Sequence, residues 1–216
     1  MDPLRFSIMG DSISTYTGYN PEGYEVYYDP FAQRANRMSS VYDTWWSLVL
    51  KEQNAELCVN GSYSGSRVSG GFFPAAESEE RIEALHKNGV FPDVILVYIG
   101  FNDFGCAINI TKFSDAYSYM LDQLKSRYPD AKIVCGTIIR TYLRDKPEWT
   151  FPEINRGVRL DDYNNAIRSA CAGQGVYLAD TTEQEVRYET LDGTHPTRKG
   201  HAEIAMAWNA CLRGII

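Results

Sequence analysis

The chain reads as an α/β protein, a three-layer α/β/α sandwich on a five-stranded parallel sheet. Two observations carry that expectation. Five short runs, residues 4–10, 55–59, 93–99, 132–139 and 175–179, are nearly continuous in Val, Ile, Leu or aromatic residues. Continuous rather than alternating apolarity marks strands covered on both faces. Between these runs lie segments of helical periodicity, and strands alternating with helices imply βαβ crossovers.

Each element has its own justification. After the first strand, residues 42–53 carry Trp45, Leu48 and Val49 at i, i+3 and i+4. Residues 77–88 are charged, with Ile82 and Leu85 on one face. Residues 112–128 repeat Phe113, Ala116, Tyr117, Met120, Leu121 and Leu124, an amphipathic stripe that Pro129 ends. Residues 161–172 keep Tyr163, Ala166, Ile167 and Ala170 in phase, and a helix over 199–212 closes the chain. No linker, repeat or low-complexity tract interrupts this order, so residues 1–216 are expected to form a single domain.

Two long connections break the regularity. Residues 14–41 hold Tyr16, Tyr19, Tyr24, Tyr27, Tyr28 and Phe31 with Pro21 and Pro30. Residues 140–160 hold Tyr142, Trp149 and Phe151 with Pro147 and Pro152. Both leave the carboxyl end of an expected strand, where ligands bind in open α/β sheets. Structureless stretches beyond ~12–15 residues tend to be functional when ordered. Their aromatics either stack on a sugar or acyl chain, pack the loops onto the body, or form a contact between copies.

Composition narrows the class. The 216 residues are 44% hydrophobic and 23% charged, ordinary for a soluble globular protein with a sizeable core. A net charge of −7 and the lack of a basic stripe argue against a nucleic-acid partner. No apolar run reaches the ~18 residues needed to span a bilayer, so no membrane partner is expected. Residues 4–9 already read as structural rather than as a signal peptide. A cytoplasmic location is therefore expected, unless a leader has been removed. Five cysteines with no Cys-x-x-Cys indicate neither a disulfide framework nor a zinc ribbon, and most read as small buried hydrophobes. Three histidines without His-Glu-x-x-His leave no expectation of a metal or other cofactor. Asn60-Gly61-Ser62 and Asn109-Ile110-Thr111 match the glycosylation triplet, a pattern common by chance.

The chemistry gathers at strand ends. Gly10-Asp11-Ser12-Ile13 closes the first run, and Asp192-Gly193-Thr194-His195-Pro196 lies near the other terminus. A serine hydroxyl is a poor nucleophile until an imidazole takes its proton. An aspartate folding back onto His195 Nδ1–H would fix the tautomer and leave Nε2 for Ser12. Acyl transfer also needs donors aimed at the oxyanion. The second run ends in residues 60–65, Asn-Gly-Ser-Tyr-Ser-Gly, where glycine lets a backbone N–H approach a reacting carbonyl. The third ends in Gly100-Phe101-Asn102-Asp103, which brings a carboxamide donor to the same rim. No Gly-x-Ser-x-Gly elbow is present.

These four blocks, in this order and spanning nearly the whole chain, resemble the SGNH (GDSL-type) hydrolase family. The resemblance implies a flavodoxin-like sheet of order 2-1-3-4-5 and metal-free esterase or lipase chemistry. It implies Ser12 as nucleophile, His195 as general base and Asp192 as orienter. It implies an oxyanion hole of Ser12 N–H, Gly65 N–H and the Asn102 side chain, with Ser64-Gly65 matching the second block better than Gly61. The chain departs at Ser66, where many members carry Asp or Glu. The polar, aromatic-rich loops resemble carbohydrate-active members more than lipases, so the expected partner is a small acyl ester, short in its acyl part and carried on a sugar. A lysophospholipase or lipase, an acyltransferase, and a catalytically silent carbohydrate-binding module are the alternatives. Asp11 and Asp103 are expected to tie loops, His86 to lie on the surface, and His201 to pack or cap. Arg67, Arg140 and Arg144 are expected to be solvated charge rather than anion ligands.

Overall fold

The computed structural model describes residues 3–70, 74–151 and 153–216. Pro152 of the second long connection lies outside them. Among the described residues the strands are β1 (Arg5–Gly10), β2 (Glu56–Asn60), β3 (Val94–Tyr98), β4 (Lys132–Gly136), β5 (Arg140–Leu143), β6 (Lys146–Thr150), β7 (Ile154–Asn155), β8 (Val158–Arg159), β9 (Tyr177–Ala179) and β10 (Arg187–Thr190). The helices are α1 (Pro30–Ala35), α2 (Trp45–Glu52), α3 (Glu79–Glu83), α4 (Phe101–Gly105), α5 (Ile110–Arg127), α6 (Leu160–Gln174) and α7 (Arg198–Leu212).

Five strands form one parallel sheet in the order β2-β1-β3-β4-β9, with helices against it, as the apolar runs require. Every residue of β3 is buried, which explains why its sequence shows no alternation. On one face, α2 and α7 meet through stacked Trp45 and Trp208 rings whose centroids lie 5.2 Å apart. The Trp208 ring lies against β4 at Gly136, where any β-carbon would collide with it. On the other face α5 buries Phe113, Tyr117, Met120, Leu121 and Leu124, the stripe seen in its sequence.

Differences from expectation have local causes. The segment 77–88 is helical only over Glu79–Glu83, with Ser78 as its cap. Asn88 (φ 54°) and Gly89 (φ 75°) then make a tight turn closed by reciprocal Lys87–Val90 backbone bonds. Two successive positive φ angles fit the Asn-Gly turn chemistry. The run 132–139 leaves the ladder after Gly136, because the Asn164 side chain donates to Ile138 O and accepts from Ile138 N. That amide takes the place of a neighbouring strand.

Neither long connection is structureless. Residues 14–41 contain α1, which starts with Asp29 as N-cap and Pro30 at its first turn. Residues 140–160 contain β5 and β6, an antiparallel pair that joins β10 in a second sheet of order β10-β5-β6. They also contain the small β7–β8 hairpin around Arg156 and Gly157, both at positive φ. Among the described residues no helix is long and apolar enough to cross a membrane.

Candidate active site

β1 delivers Gly10 to the carboxyl edge of the sheet, and the chain turns at once. Asp11 caps the short 3-10 turn Ser12–Ser14, its Oδ1 accepting from Ile13 N at 3.0 Å. Close packing makes the turn: a β-carbon on Gly10 would sit 2.7 Å from Ser14 Oγ and 2.9 Å from Ser62 Oγ. Ser12 is thereby held almost wholly buried, with its hydroxyl at the top of the sheet.

The opposite wall is a self-bonded turn after β10. Asp192 Oδ1 accepts from Thr194 N at 2.9 Å and His195 N at 2.8 Å, while Gly193 takes φ 89°. Its other oxygen, Oδ2, lies 2.7 Å from His195 Nδ1, and His195 Nε2 lies 3.0 Å from Ser12 Oγ. Facing a carboxylate, Nδ1 must carry the proton, so Nε2 accepts from the serine hydroxyl. Burial pushes the Asp192 pKa up. The His195 hydrogen bond and charge, with the two backbone N–H groups, outweigh it and hold the carboxyl well below its usual range. The structure thus brings Ser12, His195 and Asp192 into one hydrogen-bonded line, although 183 positions separate the serine from the histidine.

The other two blocks meet each other. Gly65 adopts φ 77° in the turn after β2, a conformation that favours glycine. Asn102, in α4, donates from Nδ2 to Ser66 O at 2.9 Å. Asp103 accepts from Val68 N, Ser69 N and Ser69 Oγ, tying the same loop down. Burial raises the Asp103 pKa, and those bonds partly offset the rise. Asn102 and Asp103 therefore hold the loop that carries Gly65.

Arg81 joins the two groups. Fully buried, it donates to Gly10 O at 2.9 Å, Ser66 Oγ at 2.6 Å and Pro74 O at 3.0 Å. Its guanidinium also lies 5.9 Å from the ring centroids of Tyr24 and Tyr63. Ser66 gives this cation a neutral hydroxyl acceptor rather than a carboxylate. Among the described residues Arg81 makes no ion pair, and burial lowers its pKa to about 10. Nothing in the sequence marked it, since one arginine in a charged one-turn helix has no periodic signature. The nearby Asp11 carboxyl is pushed up to about 6 by burial, against the pull of Ile13 N–H, His195 and Arg81.

The loop aromatics take several roles. Tyr16 and Tyr28 are buried, and so are not free to contact a ligand. Tyr27 stacks on the His195 ring, and Trp149 of β6 packs on Gly193, where a β-carbon would approach its ring to 2.8 Å. Arg67 Nε bonds to Gly70 O; Arg140 reaches Glu153 and Asp161, and Arg144 reaches Asp145. His86 lies at the surface, half-buried against Phe91 and Tyr128. His201 is buried, and its Nδ1 accepts the first N–H of α2, from Trp45. Asn60 is buried and bonded to Ser14 O, while Asn109 caps α5, so both triplet asparagines have local structural work. Among the described residues no group of three His, Cys, Asp or Glu could hold a metal ion.

Residues 4–209 match the GDSL-like Lipase/Acylhydrolase family, and the chain belongs to it. It is a hydrolase of the SGNH (GDSL) type. A Bacteroides ovatus protein described as a GDSL-like lipase superposes with a TM-score of 0.74 at 24% identity, covering 99% of this chain and 100% of that one. A counterpart from Bacteroides uniformis gives 0.72 at 26% identity, covering 99% and 97%. A family two carbohydrate esterase from Clostridium thermocellum, in complex with cellohexaose, gives 0.64 at 21% identity, covering 99% of this chain and 65% of that one. A search of curated proteins returned no match.

Proposed function

We propose that this protein is a serine esterase that removes short acyl groups, acetyl foremost, from carbohydrate esters. The observation that carries the catalytic part is the continuous line Ser12 Oγ–His195–Asp192 at 3.0 and 2.7 Å. In this reading Ser12 Oγ attacks the acyl carbon as its proton passes to His195 Nε2. Asp192, bonded at Nδ1, stabilises the imidazolium that forms. The developing oxyanion is met by Ser12 N–H, Gly65 N–H and Asn102 Nδ2. A carboxamide nitrogen carries two N–H donors, so Asn102 can bond Ser66 O with one and the oxyanion with the other. The imidazolium then protonates the leaving alcohol oxygen. Water enters, gives its proton to Nε2 and attacks the acyl-enzyme, and Ser12 is released with its proton restored. No cofactor takes part.

The carbohydrate part rests on the rim. Trp149, half-buried beside the Asp192–His195 turn, offers a ring of the kind that sugars stack on, and the cellohexaose-bound neighbour has the same fold. The test is Ser12→Ala assayed on p-nitrophenyl acetate, followed by an acyl-length series and acetylated sugars. Ser12→Ala is expected to lose about a millionfold in kcat. An active Ser12→Ala variant would overturn the nucleophile assignment, and rates rising toward long acyl chains would overturn the short-acyl reading.

A further inference from the structure

Tyr27 stands in an arrangement that the catalytic blocks do not include. Its ring lies parallel to the His195 imidazole, 7° between planes and 3.4 Å between centroids. Its hydroxyl donates to Asp192 Oδ2 at 3.3 Å, the same oxygen that His195 Nδ1 faces. Its backbone N–H donates to Thr15 Oγ1 at 2.9 Å, and that hydroxyl donates to Ser12 O at 3.0 Å. One residue therefore touches the base, bonds the orienter, and is tied through Thr15 to the turn that carries the serine.

The next residue completes the clamp. Tyr28 is fully buried, and its hydroxyl donates to Pro196 O at 2.7 Å, one residue past His195. The Tyr28 ring meets that of Tyr27 edge-on at 4.9 Å, and Gln33 Nε2 holds its carbonyl at 2.8 Å. The dipeptide thus spans the gap between a turn near the amino end of the chain and one near the carboxyl end.

We propose that Tyr27 is a positioning residue for His195, fixing the ring plane so that Nε2 stays aimed at Ser12 Oγ and offering a π face to the imidazolium as it forms. A cation over an aromatic face is stabilised within about 6 Å. Burial, with the Asp192 charge adding to it, pushes the Tyr27 hydroxyl up to about 12, so it remains a neutral donor near neutral pH. The other ionisable groups near His195 are Asp192 on its own turn, Asp11 from the end of β1 and His201 from α7. The inference rests on the proposed Ser12–His195–Asp192 mechanism, and Ser12→Ala is assayed beside it to separate the two.

The test compares Tyr27→Leu with Tyr27→Phe on p-nitrophenyl acetate, with thermal melts run on both. Tyr27→Leu removes ring and hydroxyl, and is expected to lower kcat about tenfold with KM within about twofold of wild type. Tyr27→Phe keeps the stack and is expected to recover most of kcat. Wild-type kcat in Tyr27→Leu overturns the proposal. A loss confined to KM overturns it too, by making the ring a substrate contact. So does Tyr27→Phe falling as far as Tyr27→Leu while both melt like wild type. Should Ser12→Ala remain active, the underlying mechanism fails instead, whatever the Tyr27 variants show.

Discussion

Replacing Asp192 by asparagine exchanges a single carboxylate oxygen for an NH2, and the geometry dictates which way the amide must face. Oδ1 accepts two backbone N–H groups, from Thr194 and His195, at 2.9 and 2.8 Å. An amide NH2 cannot accept those bonds, so the asparagine oxygen must take that position and its NH2 must face His195 Nδ1. Nδ1 then becomes an acceptor, the ring proton moves to Nε2, and Ser12 faces a donor instead of a base. A wrong tautomer of this kind costs about ten-thousandfold in kcat, or ~5.5 kcal/mol at 1.36 kcal/mol per tenfold. The assay is steady-state hydrolysis of p-nitrophenyl acetate at pH 7.5, with a thermal melt to show that the fold is kept. Wild-type Asp192 should not itself limit activity in mildly acidic solution, because its bonds hold the carboxyl ionised well below the usual range. An Asp192→Asn enzyme within tenfold of wild type would refute both the tautomer argument and the role given to this turn.

Two further expectations concern stability. Asp11 has its pKa raised from 3.8 to about 6, so the folded state favours its neutral form. The resulting penalty is absent below pH 4, grows between pH 4 and 6, and is complete above. At 1.36 kcal/mol per unit it reaches about 3 kcal/mol as an upper figure. Asp11→Asn keeps an oxygen for Ile13 N and should raise the urea midpoint at pH 7.5 but not at pH 4; an equal gain at both would count against the burial argument. Gly136→Ala drives a β-carbon into the Trp208 ring. Overpacking of that kind costs about 1–3 kcal/mol, several degrees of Tm in a chain this size, and an unchanged Tm would show that the two tryptophans yield easily.

The parts legible in sequence are those written in repeated signals. Five sheet strands, the central β3 buried throughout, produce five continuous apolar runs, and α5 writes its buried stripe six times over. Ser12, Asp192 and His195 were legible because a short turn brings aspartate onto histidine within three residues, and because strand ends gather at one edge. Arg81 was not, since its role comes from three carbonyl and hydroxyl oxygens contributed by distant segments. Nor was the β10-β5-β6 sheet, whose strand β6 is polar and largely exposed and carries Pro147, so its composition reads as loop. Tyr27 was one of six aromatics in its connection; only the fold distinguishes the one over His195 from the ones beneath it.

The line from Ser12 to His195 also joins two distant parts of the chain. Ser12 follows β1, while His195 precedes α7, and α7 is seated against α2 through Trp208 and Trp45. The two residues are 183 positions apart, and closing so long a loop is a slow, non-local step. The proposed catalytic line therefore exists only once these two distant turns have met, so any activity it gives reports tertiary structure rather than local folding.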